Sequence, residues 1–185
     1  YRGMHLDIAR NFQTPEAIKR LLDIMAYYKL NVFHFHFNDD EAWRLEIPGI
    51  PELTSYGARR GHTLDEKDML HPTYGSGPFA DDTTSHGYGY FTREQFIDLL
   101  RYATRLHIQV IPEIETPGHA RAAIYSMKHR YEKYKDTDPE EATRYLLHDP
   151  ADTSEYTSAQ GFHDNVMCVA NEGVYNFLDK VVTEL

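Results

Sequence analysis

Three short stretches of this chain share one pattern: each is rich in strand-forming residues along its body and turns polar at its C-terminal end. They are Met4 to Ile8, Asn31 to Phe37 (Asn-Val-Phe-His-Phe-His-Phe) and Gln109 to Ile114. Between and after them run segments with helical periodicity, so strand and helix alternate along the chain. That alternation argues for an α/β fold whose parallel strands are joined by right-handed crossovers.

The helical segments carry their own signals. Thr14-Pro15 marks a helix start with Pro in the first turn, and Ile18, Leu21, Leu22, Met25 and Tyr28 follow on one face. Thr92 and Gln95 form a capping box, Phe91 and Phe96 stand in staple positions, and Leu99, Leu100 and Ala103 extend the buried stripe. Residues 120 to 135 read as helical. Asn171 can cap a last helix bearing Val174, Phe177, Leu178, Val181, Val182 and Leu185. Residues 41 to 90 are punctuated by Pro and Gly too densely for long elements, which predicts an irregular segment that is functional or partly mobile. Residues 136 to 165 read as polar loop.

Composition narrows the function. A formal charge of −10 over 185 residues disfavours a nucleic-acid partner, because such binding draws on clustered Lys and Arg. No run approaches the apolar length of a membrane span. The opening residues carry neither an initiator Met nor a signal-peptide pattern, so the chain is expected to start within a longer protein, and its localisation is not read from it. The lone Cys168 excludes an intrachain disulfide and is expected to be a buried thiol.

The polar strand ends hold the candidate chemistry. They carry Asp7 and Arg10, then Asn38, Asp39 and Asp40, then Glu113, Glu115 and His119. In parallel α/β folds such ends gather on one face, where sites lie. A single Asp after a strand more often caps the next loop than serves a site, but three coincident clusters point to one. Carboxylates and imidazoles with one Arg and no Gly-rich phosphate loop suit a hydroxyl-rich sugar. His34-Phe35-His36 places two imidazoles on one strand face, which keeps open a metal-dependent hydrolase; the commoner reading is hydrogen-bonded imidazoles inside the fold, and no metal or other cofactor is assigned.

Longer motifs can then be compared. Arg2-Gly3-Met4-His5-Leu6-Asp7-Ile8-Ala9-Arg10-Asn11-Phe12 resembles the first-strand signature of glycoside hydrolase family 20, the β-N-acetylhexosaminidases. The run from Lys29 through Asn38-Asp39-Asp40-Glu41-Ala42-Trp43-Arg44 to Ile47 is similar to that family's second-strand motif. Pro51-Glu52-Leu53-Thr54 and Gly57-Ala58-Arg59 follow it. Val110-Ile111-Pro112-Glu113-Ile114-Glu115-Thr116-Pro117-Gly118-His119 resembles the third.

The resemblance implies a (β/α)8 TIM-barrel type fold, incomplete here at about its first three βα units, with residues 1–185 forming the N-terminal part of the catalytic barrel. It implies removal of terminal β-linked N-acetylglucosamine or N-acetylgalactosamine from a glycan, with the substrate's acetamido oxygen replacing an enzyme nucleophile. Arg10 would bind sugar hydroxyls, and Asp39 and His119 would form a relay tuning the general acid. Asp7, Asp40, Glu113 and Glu115 would be supports. The family's Gly-Gly-Asp-Glu motif on the fourth strand is missing, so the chain alone is expected to be inactive. Its open sheet is expected to expose an apolar barrel interior and to promote self-association. A non-catalytic sugar-binding module is the alternative.

Overall fold

The computed structural model describes residues 2–185. Its strands are β1 (Gly3–Asp7), β2 (Val32–His36) and β3 (Gln109–Glu113), within a residue or so of the predicted limits. They form one sheet in the order β1-β2-β3, parallel throughout. The register sets Asp7, His36 and Glu113 level with one another. Side chains alternate across a strand, so Gly3, His5 and Asp7 share a face with Val32, His34, His36, Gln109, Ile111 and Glu113.

The opposite face makes the core. Phe33 and Phe35 of β2 are buried with Ile18, Leu22 and Met25 of α1 (Pro15–Tyr27) and Phe96, Leu99 and Ala103 of α3 (Arg93–Arg105); the short helix α2 (Glu52–Ser55) comes between these two helices in the chain. Thr14 caps α1 by accepting from the Ala17 amide, and Thr92 and Gln95 complete the capping box of α3. The chain continues through α4 (Arg121–Tyr134), α5 (Pro139–Thr143) and α6 (Glu172–Glu184). Helix α6 packs Phe177 edge-on against Trp43, which in turn meets Phe37. Among the described residues no helix is long and apolar enough to cross a membrane.

Several expectations are corrected. Tyr28 is 61% exposed because α1 ends at Tyr27 and the chain turns through a left-handed Lys29, leaving Tyr28 edge-on to Tyr27 in solvent. Val182 is likewise exposed, since α6 buries the narrower stripe Val174, Phe177 and Val181. Cys168 is half-buried, not buried. Residues 136 to 165 include α5, whose start is signalled by Asp138-Pro139, with Asp138 accepting from the Glu141 amide. The sheet face that α1 and α3 leave uncovered carries His5, Asp7, His34, His36 and Glu113 beside Val32 and Ile111, so it is more polar than the apolar barrel interior that was expected.

The segment after β2 is not a mobile loop over its opening stretch, since residues 37 to 45 are buried throughout. Two arginines tie it down. Arg44, fully buried, donates to the carbonyls of Ile8, Ala9, Ala58, His86, Gly87 and Gly89. Arg60 donates to the carbonyls of Arg10, Tyr74 and His86 and to Thr73 Oγ1. Here buried guanidinium groups satisfy backbone acceptors that neither helix nor sheet occupies.

Candidate active site

The site forms where the three strands end. Asp7 closes β1: its Oδ1 accepts from the Ala9 and Arg10 amides, and its Oδ2 accepts from Arg10 Nη1 at 2.8 Å. The turn is thereby shaped by the residue that also orients the arginine. Arg10 Nη1 also lies 2.8 Å from Asp39 Oδ2, and Arg10 Nε lies 2.8 Å from Glu41 Oε2. The remaining Nη2 donates to Gln160 Oε1 at 3.2 Å, from the loop before α6.

Asp39 and Asp40 lie in the tight turn after β2, closed by the Asp39 amide donating to the Ala42 carbonyl at 3.0 Å, and their side chains diverge. Asp39, 2% exposed, accepts from His36 Nε2 at 2.9 Å on Oδ2. Its Oδ1 takes the Asp40 amide at 2.6 Å and contacts His119 Nδ1 at 3.2 Å. Asp40 instead accepts from the Arg121 amide at the start of α4 and from Asn165 Nδ2. The structure therefore brings Asp39, Arg10 and His119 together, while Asp40 ties the strand end to α4 and the 165 region. His119 adopts φ 53°, in the left-handed region, and its side chain is 45% exposed.

Glu113 Oε2 is the meeting point of three imidazoles: His5 Nε2 at 3.2 Å, His34 Nε2 at 2.9 Å and His36 Nδ1 at 2.8 Å. Glu115 lies beyond, its Oε1 3.7 Å from His36 Nδ1. Donor-type atoms of His5, His34 and Glu113 fall within 4.8 Å of one another. The same carboxylate oxygen already receives each imidazole, so the cluster reads as a hydrogen-bonding network and no metal is assigned to it.

Electrostatics follow from this packing. Burial raises the Asp39 carboxyl, but His36, the Asp40 amide, Arg10 and His119 outweigh it and hold the group below the usual carboxylate range. Burial pushes Asp40 up despite its Asn165 and Arg121 partners. Burial also pushes Glu41 up, with Arg10 opposing and Asp39 adding to it. Burial and Glu113 together raise Glu115.

Sequence reasoning missed several members. His36 was weighed as a metal ligand or as a hydrogen-bonded imidazole inside the fold but not as a partner of Asp39, although its place in a strand ending beside Asp39 was a usable signal. Glu41 carried a weaker one, a carboxylate directly after Asp39-Asp40 and two residues before Trp43. Gln160 and Asn165 gave none, because loop packing across more than a hundred residues brings them to the site.

Carboxylates and imidazoles around one arginine, at the C-terminal ends of parallel strands, make a hydrogen-bonding site of the class that sugar-processing α/β proteins carry. The comparisons with known proteins agree. The model for the glycosyl hydrolase family 20 catalytic domain matches residues 1–185, and the chain belongs to that family. It is 47% identical over 186 residues to a beta-hexosaminidase of Vibrio vulnificus, aligning over all of this chain and 22% of that protein. It is 46% identical to an N,N'-diacetylchitobiase of Vibrio harveyi, over all of this chain and 21% of that one. Among solved structures it resembles the family 20 exo-beta-N-acetylglucosaminidase of Vibrio harveyi in complex with N-acetylglucosamine, with a TM-score of 0.81 and 41% identity over all of this chain and 25% of the other. The chain thus spans about a fifth to a quarter of the length of these relatives.

Proposed function

We propose that this chain is the first part of the catalytic barrel of an exo-acting β-N-acetylhexosaminidase that removes terminal β-linked N-acetylglucosamine or N-acetylgalactosamine. Three parallel strands with their acidic ends on one side suit the opening units of a (β/α)8 barrel, in which residues 1–185 precede the fourth strand. The observation that carries the reading is the Asp39 carboxylate, which joins Arg10 on one oxygen to His119 on the other.

In this reading Arg10 donates to hydroxyls of the terminal sugar. Its Nη2, which donates to Gln160, is the edge a sugar would take over. Asp39 holds His119, which orients and tunes a general acid supplied by residues outside this chain. That acid protonates the departing glycosidic oxygen while the substrate's own acetamido oxygen attacks the anomeric carbon, giving retention of configuration. Asp7 and Asp40 shape the two strand ends, and Glu113 and Glu115 support them from β3.

The test is hydrolysis of a chromogenic N-acetyl-β-glucosaminide by the full-length protein and by the 185-residue chain. Activity is expected only in the full-length protein. There, Asp39→Asn and His119→Ala should lower kcat, and Asp40→Asn should act mainly on stability. Full activity in the 185-residue chain would overturn the reading, because the acid would then lie within it.

A further inference from the structure

His36 has a place in this site that the proposed mechanism does not use. The alternation of β2 turns it onto the uncovered face, yet its side chain is only 6% exposed, because both ring nitrogens are covered by carboxylates. Nε2 lies 2.9 Å from Asp39 Oδ2, and Nδ1 lies 2.8 Å from Glu113 Oε2. A neutral imidazole carries one N–H: a bare Nδ1 would aim its lone pair at Glu113 Oε2, and a bare Nε2 would aim its lone pair at Asp39 Oδ2 at 2.9 Å, with only the longer 3.3 Å approach of Arg10 Nη1 to donate to it. The doubly protonated ring donates at both ends.

We infer that His36 is a positioning residue: as an imidazolium strut between Glu113 and Asp39, it keeps Asp39 ionised and fixes the oxygen that faces His119. The inference rests on the Asp39–His119 relay proposed above. The surroundings favour a cation. From β1 and the turn after it, His36 faces His5 (ring centroids 5.7 Å apart), Asp7 and Arg10, whose Nη1 is 3.3 Å from Nε2. From β3 and the residues after it come Glu113 and Glu115, and from its own strand's end Asp39. Four carboxylates thus face the ring against one guanidinium. Burial opposes the charge, but Asp39 and Glu113 prevail and raise His36 to about 9.

The strut explains how Asp39 stays charged while 2% exposed. Arg10 Nη1 and His36 Nε2 converge on its Oδ2, leaving Oδ1 to the Asp40 amide and His119. A substrate drawing Arg10 toward its hydroxyls would loosen one of those cations. His36, anchored on Glu113, would keep the other in place.

The test uses the full-length protein, labelled with ¹⁵N only in histidine. The His36 ring signals are assigned by their disappearance in His36→Gln. Both nitrogens should be protonated at neutral pH, titrating near 9, and Glu113→Gln should lower that midpoint. In hydrolysis assays, His36→Gln should move the acid limb of the kcat profile upward by about one pH unit, since Asp39 loses one of two cations. kcat should fall more than KM changes. A thermal melt of each variant separates misfolding from this effect, and Glu113→Gln, which retains the ring, gives an independent reading. A folded wild type with a neutral His36 ring at pH 7 would overturn the inference, as would a folded His36→Gln with an unmoved acid limb. Absence of any hexosaminidase activity in the wild type would instead overturn the functional reading, with the ¹⁵N titration still deciding whether the strut exists.

Discussion

Replacing Arg44 with Met should unfold more than a loop. The guanidinium is fully buried and makes hydrogen bonds to six backbone carbonyls, the shortest to Gly89 (2.9 Å), Ala9 (3.0 Å) and Ile8 (3.1 Å). Methionine fills a similar volume but donates nothing. Each hydrogen bond to a charged group contributes about 1.5–3 kcal/mol, and each buried carbonyl left without a donor costs about 1–3 kcal/mol. Relief from keeping a cation out of water offsets part of that, so the net loss is about 3–5 kcal/mol, as for other buried charges whose partners are stranded. Trp43, the single tryptophan, sits in the adjacent core and reports unfolding by fluorescence. With a urea slope of about 2 kcal/mol/M, the midpoint should fall by roughly 1.5–2.5 M. Arg44→Lys, which keeps the charge but cannot span six acceptors, should fall in between. Because Ile8 and Ala9 lead directly into Arg10, the Met variant should also displace the Arg10 guanidinium, and on the function proposed above the full-length variant should show a higher KM. A loss under about 1 kcal/mol would refute the idea that Arg44 organises these turns.

Other outcomes follow from the buried groups. Burial holds the Glu41 carboxyl above its ordinary 4.5, so wild-type stability is lost as pH rises from that value through the folded-state one. Glu41→Gln should therefore be more stable than wild type in urea at pH 7 and equal to it near pH 4. His36 has linkage of the same sign at higher pH, its stabilising charge being complete below 6.5 and lost as pH rises through about 9. The wild-type urea midpoint should decline across that interval, and the decline should be shallower in His36→Gln. Gly57→Ala would place a methyl 2.5 Å from Ser126 Oγ and 2.6 Å from the Leu53 carbonyl, and should cost about 1–3 kcal/mol by thermal denaturation.

What the sequence revealed was what local chemistry specifies. Strand bodies, caps and stripes are written within a few residues of one another, so β1, β2, β3, α1 and α3 were all legible, and so were the polar strand ends. Tyr28 and Val182 were misplaced because periodicity tells which residues align, not where a helix ends or how wide its covered stripe is. The long segment after β2 looked irregular because its order comes from Arg44 and Arg60 bonding to carbonyls dozens of residues away, and arginine has no local signature for that role. For the same reason Asp39 could be named as a candidate, but its separation from Asp40 needed the positions of Asn165 and the start of α4.

The pairing of the strands has a consequence for how this segment can change over generations. On β2 the phenylalanines that fill the core and the histidines that reach the carboxylates occupy alternate positions of the same five residues. Inserting or deleting one residue there would send Phe33 and Phe35 toward water and His34 and His36 into the hydrocarbon interior in a single step. A length change in this strand therefore damages fold and site together. Selection for a well-filled core would then preserve the placement of the imidazoles as a by-product, even through periods when the chemistry itself was under little pressure.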